Sequence, residues 1–173
     1  GIRHRDVKPE NIFVKRNEDG EIQGALGDFG LAVRMNNSQE EFQYISCLGG
    51  TPQFVPPEVI RDSRNLYKQD IYSMGWTIFI AHFPNSLLFW EFYDPMSYFG
   101  ILKFMAQVHS NRVVNEASEN FCYEILTPLR NHKNPTRRLV AKCLHPDPRQ
   151  RPAAKTLLED YQKTLFDMGI VLS

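Results

Sequence analysis

Cysteine is scarce in this chain. Cys47, Cys122 and Cys143 are the three present, and an odd, scattered set makes no disulfide framework, which suits a reducing compartment. An excess of one charge is also missing. Lys and Arg number 20, as do Asp and Glu, so no overall basic field draws the protein to nucleic acid or an anionic membrane, and neither is expected as a partner. No apolar run is long enough to span a bilayer. No HExxH or paired CxxC pattern points to zinc. The chain opens on Gly1 rather than Met and carries no signal-peptide pattern. The expected location is therefore cytoplasm or nucleus, and the expected status is part of a longer polypeptide.

What remains is enough for a core. Apolar residues make up 42% and aromatics 12% of 173 residues, which excludes wholesale disorder and suits one domain. Ile12 to Lys15 reads as a strand, Asn17-Glu18-Asp19-Gly20 as a turn with Asp-Gly supplying positive φ angles, and Ile22 to Leu26 as the partner strand. Residues 31–50 are polar and aperiodic, and Gly49-Gly50-Thr51-Pro52 and Pro56-Pro57 punctuate the stretch beyond them. This predicts a long loop, either functional or disordered. Asp70 to Phe83 is apolar nearly all round, which predicts a core helix stopped by Pro84. Further helices are predicted over 95–108, 121–129, 136–144 and 152–166, the last with Pro152 in its first turn.

Chemistry concentrates near the start. In His4-Arg5-Asp6-Val7-Lys8-Pro9-Glu10-Asn11, a carboxylate, an ammonium and an amide fall within six residues. The carboxylate can accept a hydroxyl proton, the ammonium can balance phosphate charge, and the amide oxygen can ligate a hard cation. Any one of these alone would more often be a solvated side chain. Gly27-Asp28-Phe29-Gly30 sets another carboxylate on backbone able to bend, which by itself is an ordinary turn.

The ordered set is far more specific than its parts. His4-Arg5-Asp6-x-Lys8-x-x-Asn11, a hairpin, Asp28-Phe29-Gly30, Gly50-Thr51-Pro52, Pro57-Glu58, Asp70 on a buried helix and Arg151 come in that order. The chain thereby resembles the C-terminal lobe of a eukaryotic protein kinase of the serine/threonine type. The implied fold is α+β overall, this chain being the mainly α-helical C-terminal lobe with a short β-hairpin beside the catalytic loop. Residues 1–11 would be the catalytic loop, 12–27 the hairpin, 28–58 the activation segment and 59–173 the helical subdomain. The N-terminal lobe is expected to be absent, since no Gly-rich loop or strand lysine precedes the motif. Poor ATP binding by the isolated chain, and an exposed apolar side on helix 70–83, are expected consequences.

The resemblance also implies roles. Asp6 would be the catalytic base, Lys8 would contact the γ-phosphate, and Asn11 and Asp28 would hold Mg²⁺ for ATP. Thr51 would bridge Asp6 and Lys8, and Phe13 would lie under the adenine. His4, Phe29 and Gly30 would be architectural. Asp70 would hold the catalytic loop by its backbone, and Glu58 and Arg151 would form a buried pair. Arg5 would receive a phosphate on the activation segment, with Ser46 as candidate phosphosite and an upstream kinase as partner. Lys8 and Gly50-Thr51-Pro52 favour serine or threonine in a protein substrate. One rival reading is a non-catalytic lobe that docks to a partner protein. Another is a small-molecule kinase, which the platform from Gly50-Thr51-Pro52 to Pro57-Glu58 argues against.

Overall fold

The computed structural model describes residues 1–34, 50–51, 54–56, 58, 68–85 and 126–170. The candidate phosphosite Ser46, Pro52 and Pro57, and the predicted helix 95–108, lie outside these residues.

Two small antiparallel sheets frame the N-terminal segment. Strand β1 (Ile2–Arg3) pairs with β4 (Val33–Arg34), Ile2 opposite Arg34 and Arg3 opposite Val33. Strand β2 (Ile12–Arg16) pairs with β3 (Ile22–Leu26), with Ile12 opposite Leu26 and Arg16 opposite Ile22. The β2–β3 connection differs from the expected Asp-Gly turn in one respect. Only Gly20 has a positive φ, of 85°, and Asp19 does not. The Gly20 N–H donates to the Asn17 carbonyl, the Asn17 N–H donates to the Glu21 carbonyl, and the Asn17 side chain accepts from the Glu21 N–H at 2.8 Å. A single left-handed glycine thus closes the turn, and Asn17 stitches its two ends.

The core is helical. Helix α1 (Gln69–His82) buries Ile71, Tyr72, Trp76, Ile78 and Phe79, with Trp76 and Phe79 fully covered. Leu126, Leu129, Leu139, Val140 and Leu144 pack around them. Leu129 lies on the short helix α2 (Thr127–Arg130), and Leu139 and Val140 on α3 (Pro135–Cys143). The α1–α3 approach depends on Gly75, where an added Cβ would lie 2.6 Å from the Cys143 Cβ. Asn134 starts α3 by accepting the Thr136 and Arg137 N–H groups, and Pro135 occupies its first turn.

Helix α4 (Ala154–Asp167) begins two residues after Pro152, so that proline precedes the helix instead of entering its first turn. Gly169, with φ 76°, ends it, and the Ile170 N–H returns to the Leu165 carbonyl at 2.9 Å. Helix α1 does not keep the exposed apolar side expected of it. Among the described residues, the exposed large apolar ones are instead Ile2, Phe13, Val14, Ile22, Phe29 and Leu31 around the hairpin, and Leu158, Phe166, Met168 and Ile170 on and just after α4. Among the described residues no helix is long and apolar enough to cross a membrane.

Candidate active site

The segment from His4 to Asn11 is held by groups distant in sequence. Asp70, in the first turn of α1, accepts the His4 N–H at 2.7 Å and the Arg5 N–H at 2.9 Å, one on each carboxylate oxygen. This double anchor fixes backbone that would not choose its own conformation. Arg5 has φ 73°, a left-handed value that is unfavourable for a side chain of its size. Gly50 backs the same point, since a Cβ there would meet the Arg5 carbonyl oxygen at 2.6 Å. In the sequence Gly50 is only part of a motif. Its structural necessity is this close approach, at φ 112°.

His4 is buried. Its Nε2 lies 2.8 Å from the Gly27 carbonyl oxygen, and its ring meets Phe29 edge-on at 4.8 Å between centroids. His4 therefore ties the first motif to the second. Phe29 is still 55% exposed, so His4 covers only part of it.

Asp6 is the hub. Its Oδ1 accepts both the backbone N–H and the hydroxyl of Thr51, each at 2.8 Å. Its Oδ2 lies 2.9 Å from the Lys8 ammonium and accepts from Asn11 Nδ2 at 3.1 Å. Lys8 also donates to the Thr51 hydroxyl at 2.6 Å, and Asn11 Nδ2 donates to the Asp6 carbonyl at 2.8 Å. Burial pushes the Asp6 carboxyl up, but the hydrogen bonds from Lys8 and Thr51, with the Lys8 charge, outweigh it and hold the pKa below the usual aspartate value. The group is thus an oriented carboxylate, ionised at neutral pH.

Asn11 ends a short 3₁₀ turn, Pro9–Asn11, and accepts the Gly27 N–H on its backbone carbonyl at 2.9 Å. That bond sets the Asp28 turn beside it. Asp28 has φ 59° and ψ 70°, and its exposed side chain accepts the Gly30 N–H at 3.3 Å. Asn11 turns its amide nitrogen to Asp6, which sends its oxygen the other way. Asn11 and Asp28 are hard oxygen donors on adjoining backbone, and Mg²⁺ needs few protein ligands because it keeps waters and phosphate oxygens. The donor set therefore fits that ion. Phe13 is 61% exposed, with its ring edge against the Gly27 backbone.

Glu58 and Arg151 lie apart from this cluster. They form a buried two-pronged pair at 2.5 and 2.7 Å. Arg151 also donates to the His145 carbonyl at 2.7 Å and the Lys68 carbonyl at 3.1 Å, and stacks on Tyr72. Lys68 returns a bond to the Arg151 carbonyl. Two residues of this frame are not evident from sequence motifs. Ser73 donates to the Phe54 carbonyl at 2.8 Å, pinning the chain after Thr51 to α1, and a serine inside an apolar helix was the available signal. Arg3 is buried beside the site, and its place in a run of basic residues concealed that.

The model of the protein kinase domain family matches residues 1–161. The chain is 30% identical over 159 residues to the serine/threonine-protein kinase Nek9 of Mus musculus, covering 92% of this chain and 14% of that protein. It is 40% identical over 86 residues to the serine/threonine-protein kinase zyg-8 of Caenorhabditis elegans, covering 49% of this chain and 10% of that protein. It is 29% identical over 177 residues to the brassinosteroid LRR receptor kinase BRL3 of Oryza sativa subsp. japonica, covering 97% of this chain and 13% of that protein. The chain thus spans a small fraction of the length of each of these relatives.

Proposed function

This chain belongs to the protein kinase domain family, and from that premise we propose that it is the C-terminal lobe of a serine/threonine kinase that transfers the ATP γ-phosphoryl group to protein hydroxyls. The observation that carries this reading is the convergence of Lys8, Asn11 and Thr51 on the two oxygens of Asp6.

The chemistry asks for position and charge more than for covalent work. Asp6 accepts the hydrogen bond of the substrate hydroxyl and aims its oxygen. Its depressed pKa makes it a weak base, so it takes the proton late, once the hydroxyl has become acidic through bond formation to phosphorus. Thr51 and Asn11 keep the carboxylate from rotating. Lys8 sets one cationic point charge where transferred phosphoryl oxygens gather negative charge. Mg·ATP would supply the phosphoryl group, with Asn11 and Asp28 as the residues that would hold the ion and Phe13 as one that would contact the base. His4 and Phe29 brace the Asp28 turn, Asp70 holds the loop, and the Glu58–Arg151 pair fixes the end of the segment that carries Thr51. Arg5 receives a regulatory phosphate, with Ser46 as its candidate source and an upstream kinase as donor.

Asp6→Asn in the natural polypeptide tests this reading. Phosphate transfer from ATP to a serine- or threonine-containing protein is expected to fall roughly 100-fold or more. Undiminished transfer by that variant would remove Asp6 from its role. A second reading, a non-catalytic lobe that docks to a partner, draws on the exposed Phe13, Val14 and Ile22 of the hairpin. Transfer activity that depends on Asp6 excludes it.

A further inference from the structure

The chain is neutral overall, but its positive charge is not evenly spread. Between residues 130 and 149, Arg130, Lys133, Arg137, Arg138, Lys142 and Arg149 face a single acid, Asp147. Asp147 pairs with Arg149, Lys142 pairs with Asp160, and Arg137 lies 4.5 Å from the Phe83 ring centroid. Arg130, Lys133 and Arg138 remain, all exposed around the turn from α2 to α3, and no acid among the described residues pairs with them. The turn is rigid. Arg138 Nη1 donates to the His132 and Lys133 carbonyls at 2.8 Å each, and the His132 ring accepts the Asn134 N–H at 3.0 Å. Cations at the start of a helix oppose its dipole, and α3 has no acid in its first turn to offset them. The arrangement is thus unfavourable to the fold itself. Asn134 already caps the helix end, so side chains make this surface.

An apolar edge adjoins it. Thr136, in the first turn of α3, donates its hydroxyl to the Met168 sulfur at 3.5 Å. That contact sets the end of α4 against the beginning of α3. There Phe166, Met168 and Ile170 are 75%, 39% and 43% exposed. A side chain as exposed as Phe166 protrudes, whereas one lining a groove would be shielded by its walls.

We propose that the cations of the α2–α3 turn and the apolar side chains at the end of α4 together form a peripheral docking edge for an anionic lipid bilayer. Arg130, Lys133 and Arg138 meet the headgroups, and Phe166, Met168 and Ile170 enter the interface. Reversible interfacial attachment draws on both signals, cations and buried apolar area. A folded acidic partner would need a pocket shaped to Phe166, whereas a bilayer admits a protruding ring without one. Net charge concealed this edge by averaging it with acids elsewhere in the chain. The inference does not depend on the catalytic reading.

Flotation of the natural polypeptide with vesicles tests it. Binding is expected to vesicles enriched in phosphatidylserine and not to pure phosphatidylcholine, and to weaken as salt is raised. Arg130→Gln with Lys133→Gln is expected to reduce it roughly 30-fold. Phe166→Ser is expected to reduce the part that survives high salt. All three positions are exposed, so melting temperatures no lower than the parent's serve as the control for folding. Equal binding to both vesicle types, no binding to either, or indifference to these substitutions would overturn the proposal. So would retention on immobilised polyglutamate without vesicle flotation, which would assign the edge to an acidic protein.

Discussion

Thr51 closes on Asp6 with two hydrogen bonds, its backbone N–H and its hydroxyl each reaching Oδ1 at 2.8 Å across 45 positions of sequence. The same hydroxyl accepts from Lys8 at 2.6 Å. One side chain therefore sets the register of the acid and of its nearest cation.

Thr51→Val keeps the backbone bond and deletes the hydroxyl. Loss of a hydrogen bond to a charged group, about 1.5–3 kcal/mol, predicts a fall in kcat/KM of roughly 10- to 100-fold, with Thr51→Ser near the parent. The sign of the pH effect is also determined. Asp6 is depressed by donors that include Thr51, so losing one raises its pKa, and the acidic limb of the pH–rate profile moves to higher pH. An unmoved limb would contradict the role given to the hydroxyl. In stability, the Asp6 contribution is present above the unfolded value, about 3.9, and is lost as pH falls through the lower native value.

Breaking the Glu58–Arg151 pair from one side strands a buried charge. Glu58→Gln or Arg151→Met alone is expected to cost about 3–5 kcal/mol, read from chemical unfolding. The double replacement should cost less than the sum of the two. It should not restore the parent, because Arg151 also satisfies the carbonyls of His145 and Lys68. Strict additivity would mean the two side chains do not act as a pair.

Cys143 is a test of α1–α3 packing. Burial pushes its thiol up to about 12, so thiol reagents at neutral pH should modify it only after unfolding. Gly75→Ala would drive a methyl group to 2.6 Å from the Cys143 Cβ. It should destabilise by about 1–3 kcal/mol and speed labelling of Cys143, a site best monitored by mass spectrometry of its peptide. Rapid labelling of the native parent would show that the α1–α3 contact does not shield Cys143.

Two histidines predict acid sensitivity. Burial pushes His82 down, where its Nε2 lies 2.7 Å from the Tyr161 hydroxyl. Burial, then the Arg130 charge, also push His145 down, against an opposing pull from Asp147. The unfolded chain takes up these protons near pH ~6.5, whereas the native protein resists them to lower pH. Their contribution is whole above that value and is lost as pH falls through the native pKa values. The unfolding midpoint should therefore drop between about pH 7.5 and about pH 5.5, and His82→Gln should shrink the drop. An equal drop in parent and variant would assign the effect to other groups.

Local chemistry is legible without any fold. The Asn17 to Gly20 turn between two apolar runs marks the hairpin, continuous apolarity over 70–83 marks the helix found at Gln69–His82, and the helical stretch read over 136–144 is found as α3. The spacing of Asp6, Lys8 and Asn11 also lies within reach of one loop, so their association can be read as chemistry. Each of these signals acts over a few residues, where periodicity, φ limits and capping set the outcome.

Other features come from contacts whose partners lie far apart along the chain. Nothing near Arg5 explains its left-handed backbone, which Asp70 and Gly50 impose from 65 and 45 positions away. Arg151 reads locally as a surface arginine and becomes a buried charge only when Glu58, 93 residues earlier, meets it. The expected absence of an N-terminal lobe predicts an uncovered side on α1, whereas its apolar residues pack with Leu126, Leu129, Leu139, Val140 and Leu144. Residue identity and spacing dictate which groups are able to do the chemistry. The Thr51 bonds to Asp6 and the Asp70 anchor on the His4 and Arg5 backbone arise only from tertiary contacts, because no local preference reaches across such separations.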